Sequence, residues 1–380
     1  MIDLIDYSLL REIWWVLLGV LLIGFALTDG YDLGLGAILR LIGRDDVERR
    51  MALESIEPNW EGNQVWFVLG GGAVFAAWPL LYAASFSSFY FAMLLLLVAL
   101  ILRPVGFAFR NRLPQARWRE AWDWALTIAG AVPSLVFGIA FGNLLLGVPF
   151  HFTPELLPIY DGDFIGLFRP FALLAGLISL AMLVMHGACF AAMRVEDPVG
   201  ARARRIARIA AAVAAAAFVG AGVWLRFLPA PAIVGSMRVD APSDPLIKHV
   251  LMIDGGWFAN YALNPWMTAV PVVTVAALIA VVLIGKRWLA FLASGTAVAG
   301  IVLTAGLAMF PFLMPSSTHP AHGLTVWDAS SSERTLGIML VAAAIFLPLI
   351  LAYTAWAFRV MRGTVTRAHV ESQDDAGGAY

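Results

Sequence analysis

IWWVLLGVLLIGFALTDGYDLGLGAILRL (13–41) is apolar for far longer than one buried helix of a soluble protein requires, and it carries two acids, Asp29 and Asp32, within it. A membrane-spanning helix needs about 20 predominantly apolar residues. Residues three apart share a helix face, so the two carboxylates are expected side by side. An ionisable group at membrane depth costs about 2.5–3.5 kcal/mol on insertion scales, so it is kept mostly where it faces a partner or a proton or ion route. The composition agrees with a membrane setting. The chain has 380 residues, 61% hydrophobic and 13% charged, with a mean hydropathy of +0.82, whereas soluble domains carry about 25% charged residues. The reading is an all-α integral membrane protein.

Nine spans are expected, near 13–41, 61–80, 84–108, 120–143, 168–193, 205–226, 264–284, 288–312 and 336–359. They form one polytopic domain over 1–380, with helices 1–4 in about 13–143, helices 5–8 in about 168–312 and helix 9 at 336–359. Basic residues cluster after every second span. Arg40, Arg44, Arg49 and Arg50 follow the first, Arg110, Arg112, Arg117 and Arg119 the third, and Arg194, Arg202, Arg204, Arg205 and Arg208 the fifth. Positive loops stay inside, so the N-terminus is expected outside and the C-terminus in the cytoplasm. Residues 1–12 lack the basic start of a signal peptide, so the first span reads as retained. The longest outer connection, 227–263, is punctuated by Pro and Gly and reads as a loop, and the tail beyond Arg367 reads as polar and mobile. A net charge of −1 gives no bulk attraction to nucleic acid. The single Cys189 excludes an internal disulfide and any multi-cysteine metal site.

The topology places several polar residues at one depth, near the cytoplasmic face. Asp29 and Asp32 lie in the inner half of helix 1, and NWEGNQVW (59–66) opens helix 2 with Trp60, Glu61, Asn63 and Gln64. Arg103 ends helix 3 and Asp123 begins helix 4 on the same side. Two readings stay open. One is a structural network in which Arg103 neutralises the acids and the amides satisfy the remainder. The other is a proton inlet, which needs relay groups and an acid able to change protonation. Gly30 with Gly34, and the triple Gly70–Gly72, read as helix-contact surfaces. Most Trp residues, Trp14 and Trp118 among them, read as interfacial anchors. His186, alone in mid-helix, reads as a hydrogen-bonded packing residue rather than a haem ligand, because no second buried His accompanies it. His319 and His322 share an outer loop that offers few further metal ligands, so no metal site is assigned. GVLLIGFALTDG (19–30) and GLISLAMLVMHG (176–187) echo one another weakly, with glycines in register.

GFALTDGYDLG (24–34), NWEGNQVW (59–66), FAAWPLLYA (75–83), RPVGF (103–107), FGNLLLGVPF (141–150), LTAGLAMFPFLMPSST (303–318) and LTVWDASSS (324–332) together resemble subunit II of the bd-type quinol oxidases, in order and over nearly the whole chain. The resemblance implies two four-helix bundles plus one peripheral helix. It also implies a partner, subunit I, carrying haem b and haem d, while this chain binds no haem. The assembly would oxidise quinol, reduce dioxygen to water and build a proton-motive force without pumping, in the bacterial inner membrane. A small single-helix accessory subunit and a structural quinone occur in some relatives. Carried onto this chain, the proton route or polar network comprises Asp29, Asp32, Trp60, Glu61, Asn63, Gln64 and Arg103, with Asp123 from the topology and the terminal Tyr380 from the tail. An apolar dioxygen route would run beside Trp66. Two positions depart from the pattern: Glu61 replaces a common Asp, and Ala108 stands where some relatives have an acid. The competing reading, a proton-coupled transporter, predicts helices broken at midplane around a substrate. The interior prolines Pro133, Pro271 and Pro348 are single and scattered, which counts against it.

Overall fold

The computed structural model describes residues 5–235 and 237–375. Its first span is not one smooth helix. Tyr7–Leu27 (α1) stops at Thr28, which has φ/ψ of −101°/−77°, and Asp29–Ile42 (α2) restarts immediately. The Thr28 hydroxyl donates to the Gly24 carbonyl at 2.8 Å, competing with the backbone ladder at the break. Both acids therefore sit in the first turn of α2, where unpaired N–H groups and the helix dipole favour negative charge. Ordinary i, i+3 spacing along an unbroken helix misses this.

Asp46–Glu54 (α3) lies at the end of α2 and is capped by Asp45, whose side chain accepts from Glu48 N at 2.8 Å. Trp60–Ala77 (α4) is followed by Pro79–Ser88 (α5), turned by 118°. Pro79 has no N–H to continue the helix, and its ring fits the first turn of a new one. The third span accordingly starts at Tyr90 rather than near 84, as α6 (Tyr90–Phe109). Next come α7 (Ala116–Leu146), the hairpin β1 (Phe150–Phe152) and β2 (Pro158–Tyr160), α8 (Pro170–Arg194) and α9 (Val199–Leu225). The expected loop 227–263 contains a second hairpin, β3 (Pro229–Val234) with β4 (His249–Asp254), and α10 (Ala259–Leu263). The chain closes with α11 (Ala269–Leu283), α12 (Arg287–Met309), a third hairpin of β5 (Phe312–Met314) and β6 (Leu324–Thr325), α13 (Glu333–Val360) and α14 (Arg367–Asp375). Among the described residues, eight helices are long and apolar enough to span, and α4 with α5 makes the ninth if the bent pair is one span.

In the second half, α8, α9, α11 and α12 close a ring in which each helix touches the next. In the first half, α2 packs on α4 and α7, α6 on α7, and α1 on α4. The α2–α8 and α7–α8 seams join the halves, while α13 touches mainly α1 and stays largely exposed, as a peripheral helix does. The α2–α8 seam is a backbone contact. A Cβ on Gly34 would lie 1.8 Å from the Leu183 carbonyl oxygen, and one on Gly187 would lie 2.3 Å from Leu35 N. Gly30 and Gly187, aligned in the weak echo, thus belong to two helices pressed face to face. The Gly70–Gly72 triple behaves differently: among the described residues, nothing outside its own helix backbone and chain neighbours lies within 4 Å of a Cβ placed there, so it makes no helix contact within these residues.

Two further expectations change. Trp14 is buried and donates its indole N–H to the Leu336 carbonyl at 3.0 Å, tying α1 to α13 rather than anchoring at an interface. The segment after Arg367 forms α14 and docks on α3. Arg367 pairs with Asp45 at 2.9 Å and Val370 is fully buried. Tyr380 lies outside the described residues.

Candidate functional site

Two helices, α4 and α6, converge on the start of α2. Asp29 and Asp32 are each about 1% exposed. Arg103, from α6, donates an Nη2 hydrogen bond to Asp29 Oδ1. Asn63, from the second turn of α4, donates from Nδ2 to Asp32 Oδ2 at 2.9 Å and to the Tyr31 hydroxyl at 2.7 Å. Trp60 roofs the pair: the Arg103 guanidinium carbon stands 5.3 Å from its ring centroid, and Phe107 stacks on the same Trp60 ring system at 5.4 Å. A guanidinium over indole gains about 0.5–2 kcal/mol depending on desolvation. Two carboxylates thus share one guanidinium, and only Asp29 is directly bonded to it. Asp32 Oδ1 and Arg103 Nε and Nη1 are buried without a hydrogen-bond partner. Buried polar atoms without a partner are few in folded proteins.

The single constellation expected from topology divides in two. Asp123 is fully buried, but it belongs to a separate cluster. It binds Arg110 Nε at 2.6 Å and Arg49 Nη1 at 2.8 Å, and Arg110 reaches on to Asp46 at 2.9 Å. Arg119 also meets Asp46, at 2.5 Å. Here cations outnumber acids and every carboxylate is engaged, which suits a brace between α3 and the ends of α6 and α7. Glu61 does not join either cluster. It lies two residues from Asn63, almost on the opposite side of α4, and is exposed. Gln64 is half-buried beside that face.

Trp66 is buried against α1, where Gly24 makes room for it: a Cβ there would lie 2.4 Å from the indole ring. His186 is buried with both ring nitrogens engaged, Nδ1 with Ser294 Oγ at 2.8 Å and Nε2 with the Leu27 carbonyl at 3.0 Å. It packs between Tyr31 and Phe291, as a hydrogen-bonded core histidine.

The residues that sequence reasoning passed over are Tyr31, Arg49, Arg110 and Asp46. Tyr31 lies between the two acids in the same motif, and its hydroxyl was the available signal. The arginines read as side-marking charges, and nothing in their spacing distinguishes one that folds back into the bundle.

Fold and cluster define a multi-pass, all-α membrane protein with ionisable groups held inside its helices, the class in which such groups attend ion and proton handling. Within that class, the chain belongs to the cytochrome bd terminal oxidase subunit II family, whose model matches residues 10–361. It is 47% identical over 363 residues to a probable cytochrome oxidase subunit 2 of Haemophilus influenzae, covering 95% of this chain and 96% of that protein. It is 46% identical over 373 residues to the cytochrome bd-I ubiquinol oxidase subunit 2 of Escherichia coli K12, covering 97% of this chain and 98% of that protein. The fold is similar to a chain in the structure of bd oxidase from Geobacillus thermodenitrificans, with TM-score 0.66, 16% identity, and coverage of 92% of this chain and 98% of that one. The chain is therefore a membrane subunit of an oxidoreductase complex with a subunit I partner, and the transporter reading finds no support.

Proposed function

We propose that this subunit carries protons from the cytoplasmic end toward the oxygen-reducing centre of its partner, through the cluster at the start of α2. The observation that carries this is Asp32. It is buried and bonded on one oxygen by Asn63, with its other oxygen unpartnered and no cation bonded to it, beside an Asp29–Arg103 pair that is already neutralised. An acid in that position is the member of the pair suited to take up and release a proton, while Arg103 fixes the charge of its neighbour. Glu61 and Gln64, on the exposed side of the same helix turn, serve as entry groups. The basic loops at this end support a cytoplasmic placement, with the N-terminus and the three hairpins outside.

In this reading the haems b and d reside in subunit I. The support is local: among the described residues His186 is the only histidine inside a spanning helix, and hydrogen bonds occupy both its nitrogens. Quinol and dioxygen are substrates of the complex, and proton uptake from one side builds the proton-motive force without pumping. The dioxygen route follows the apolar packing around Trp66. The outward faces of α6 and α13, exposing Leu97, Val98, Ile345 and Phe346, are surfaces for lipid, subunit I, a structural quinone or a small single-helix accessory subunit.

The test is Asp32→Asn in the intact complex. The amide keeps the shape and a hydrogen bond to Asn63 but cannot carry the proton. Quinol-driven oxygen consumption should fall by about tenfold or more, a rise of about 1.4 kcal/mol in the limiting barrier, with haem content and assembly unchanged. Full turnover in a fully loaded complex would refute a proton role for Asp32.

A further inference from the structure

The outer loops contain a cluster that the proton and scaffold roles do not use. His151 lies in β1, Asp161 directly follows β2, and His319 lies in the connection between β5 and β6. His151 Nδ1 is 2.8 Å from Asp161 Oδ1 and 3.0 Å from Oδ2, and His319 Nδ1 is 3.9 Å from Oδ2. One ligand atom from each residue lies within 4.8 Å of both others. Zinc binds imidazole nitrogen and carboxylate oxygen at about 2.0–2.2 Å in a tetrahedron, which sets neighbouring ligand atoms about 3.3 Å apart. The measured nitrogen–oxygen separations, 2.8, 3.0 and 3.9 Å, lie on both sides of that value, so the three ligands are already gathered at the scale of a metal site and side-chain rotation would complete it.

The backbone beneath the three ligands is already fixed. The Val148 N–H donates to the Pro315 carbonyl at 2.9 Å, and the Ser317 N–H donates to the Val148 carbonyl at 3.0 Å. Ser316 Oγ donates to the Phe150 carbonyl at 2.5 Å. Thr318 Oγ1 donates to Asp161 Oδ2 at 2.9 Å and so orients the carboxylate. The Phe152 N–H donates to His322 Nδ1 at 3.0 Å, holding that ring 5.2 Å from His319. A ligand carboxylate held by a hydrogen bond is the usual support of a metal centre. The hairpin between α7 and α8 and the loop between α12 and α13 are thus laced together up to the ligands, which are half-buried to exposed and open to solvent.

We propose that His151, Asp161 and His319 form a binding site for a divalent transition metal of the zinc class, with water completing the coordination. The ion clamps the β1–β2 hairpin to the 315–322 loop. Two imidazoles select zinc, copper, nickel or cobalt over magnesium and calcium, which prefer all-oxygen ligands. The sequence alone could not assemble this set, because His151 and Asp161 come from a hairpin far along the chain from the His319 loop.

The experiment is equilibrium dialysis of the intact, purified complex against Zn2+ with excess Mg2+ present. The wild type should bind one zinc more than a complex carrying His151→Ala and His319→Ala. Asp161→Asn, which can still accept from Thr318, should weaken that zinc by about tenfold or more. Zinc should also slow hydrogen exchange in 148–161 and 315–322 of the wild type only. If the double variant fails to assemble, His319→Gln, at an exposed loop position, gives the same comparison. Equal zinc content in wild type and variant, or displacement of the zinc by Mg2+, would overturn the proposal and leave His151–Asp161 a hydrogen-bonded pair.

Discussion

Removing Arg103 should destabilise the subunit more than removing the ion pair altogether. In Arg103→Met the Asp29 carboxylate stays buried, about 1% exposed, with its cation gone. Breaking one half of a buried pair costs about 3–5 kcal/mol, because an uncompensated charge remains. That is about two to three and a half orders of magnitude in a folding equilibrium. Loss of the guanidinium over Trp60 adds up to about 2 kcal/mol. Asp29→Asn leaves the converse, a buried cation facing an amide, with Asp32 the nearest remaining acid. In the double variant, Arg103→Met with Asp29→Asn, neither charge remains and the volumes are nearly kept, so most of the loss should return. The assay is a double-mutant cycle on the assembled complex, reading complex yield and apparent melting temperature in detergent. The order expected is wild type first, the double variant next, and both single variants lowest. The coupling should be about 2 kcal/mol or more, within the range found for residues in contact. A double variant as unstable as the sum of its singles would refute the reasoning, because the two residues would then not be compensating one another.

Gly34→Val should prevent α2 from seating on α8, since its Cβ would overlap the Leu183 carbonyl, and no assembled complex should be recovered, whereas Gly70→Ala, with open space around it, should fold normally. Lys248 and Asp328 form a buried pair at 2.7 Å in the loops, where burial pushes the ammonium down and the carboxyl up against their mutual attraction. Lys248→Met alone should therefore cost about 3–5 kcal/mol, read as a lowered melting temperature, and Asp328→Asn in the same chain should restore most of it. Burial works to raise the Glu48 carboxyl, but the ion pair with Arg202 and the Arg44 N–H outweigh it and hold it below its ordinary 4.5. Its stabilising contribution is thus complete above pH 4.5 and is lost as pH falls below that value. Glu48→Gln should cost about 1–2 kcal/mol at neutral pH and should flatten the acid limb of the stability profile.

The class of the molecule was legible in its composition and in the length of its apolar runs, because lipid admits only backbones that satisfy their own hydrogen bonds. Span positions, the helix-contact role of Gly30 and Gly34, and the packing role of His186 also follow from local pattern, since each depends on one helix and the size or polarity of a single side chain. The break at Thr28 and the turn at Pro79 were less visible. A Thr is common in spans without a break, and a proline marks only that something must change. The candidate cluster was half legible. Asp29, Asp32, Asn63 and Arg103 meet as their depths suggested, but depth is only one coordinate. Rotation about each helix axis sends Glu61 outward and assigns Asp123 to Arg110 and Arg49, and rotation is decided by which faces pack. Only the tertiary structure could bring His151 and Asp161 to His319, because the contact depends on two loops laced at one end of the bundle and no periodicity links them. Sequence by itself therefore determined the solvent, the approximate places of most spans and the kind of charge buried among them. Packing decided which of those charges touch, and so which acid is bonded to Arg103 and which keeps an oxygen without a partner.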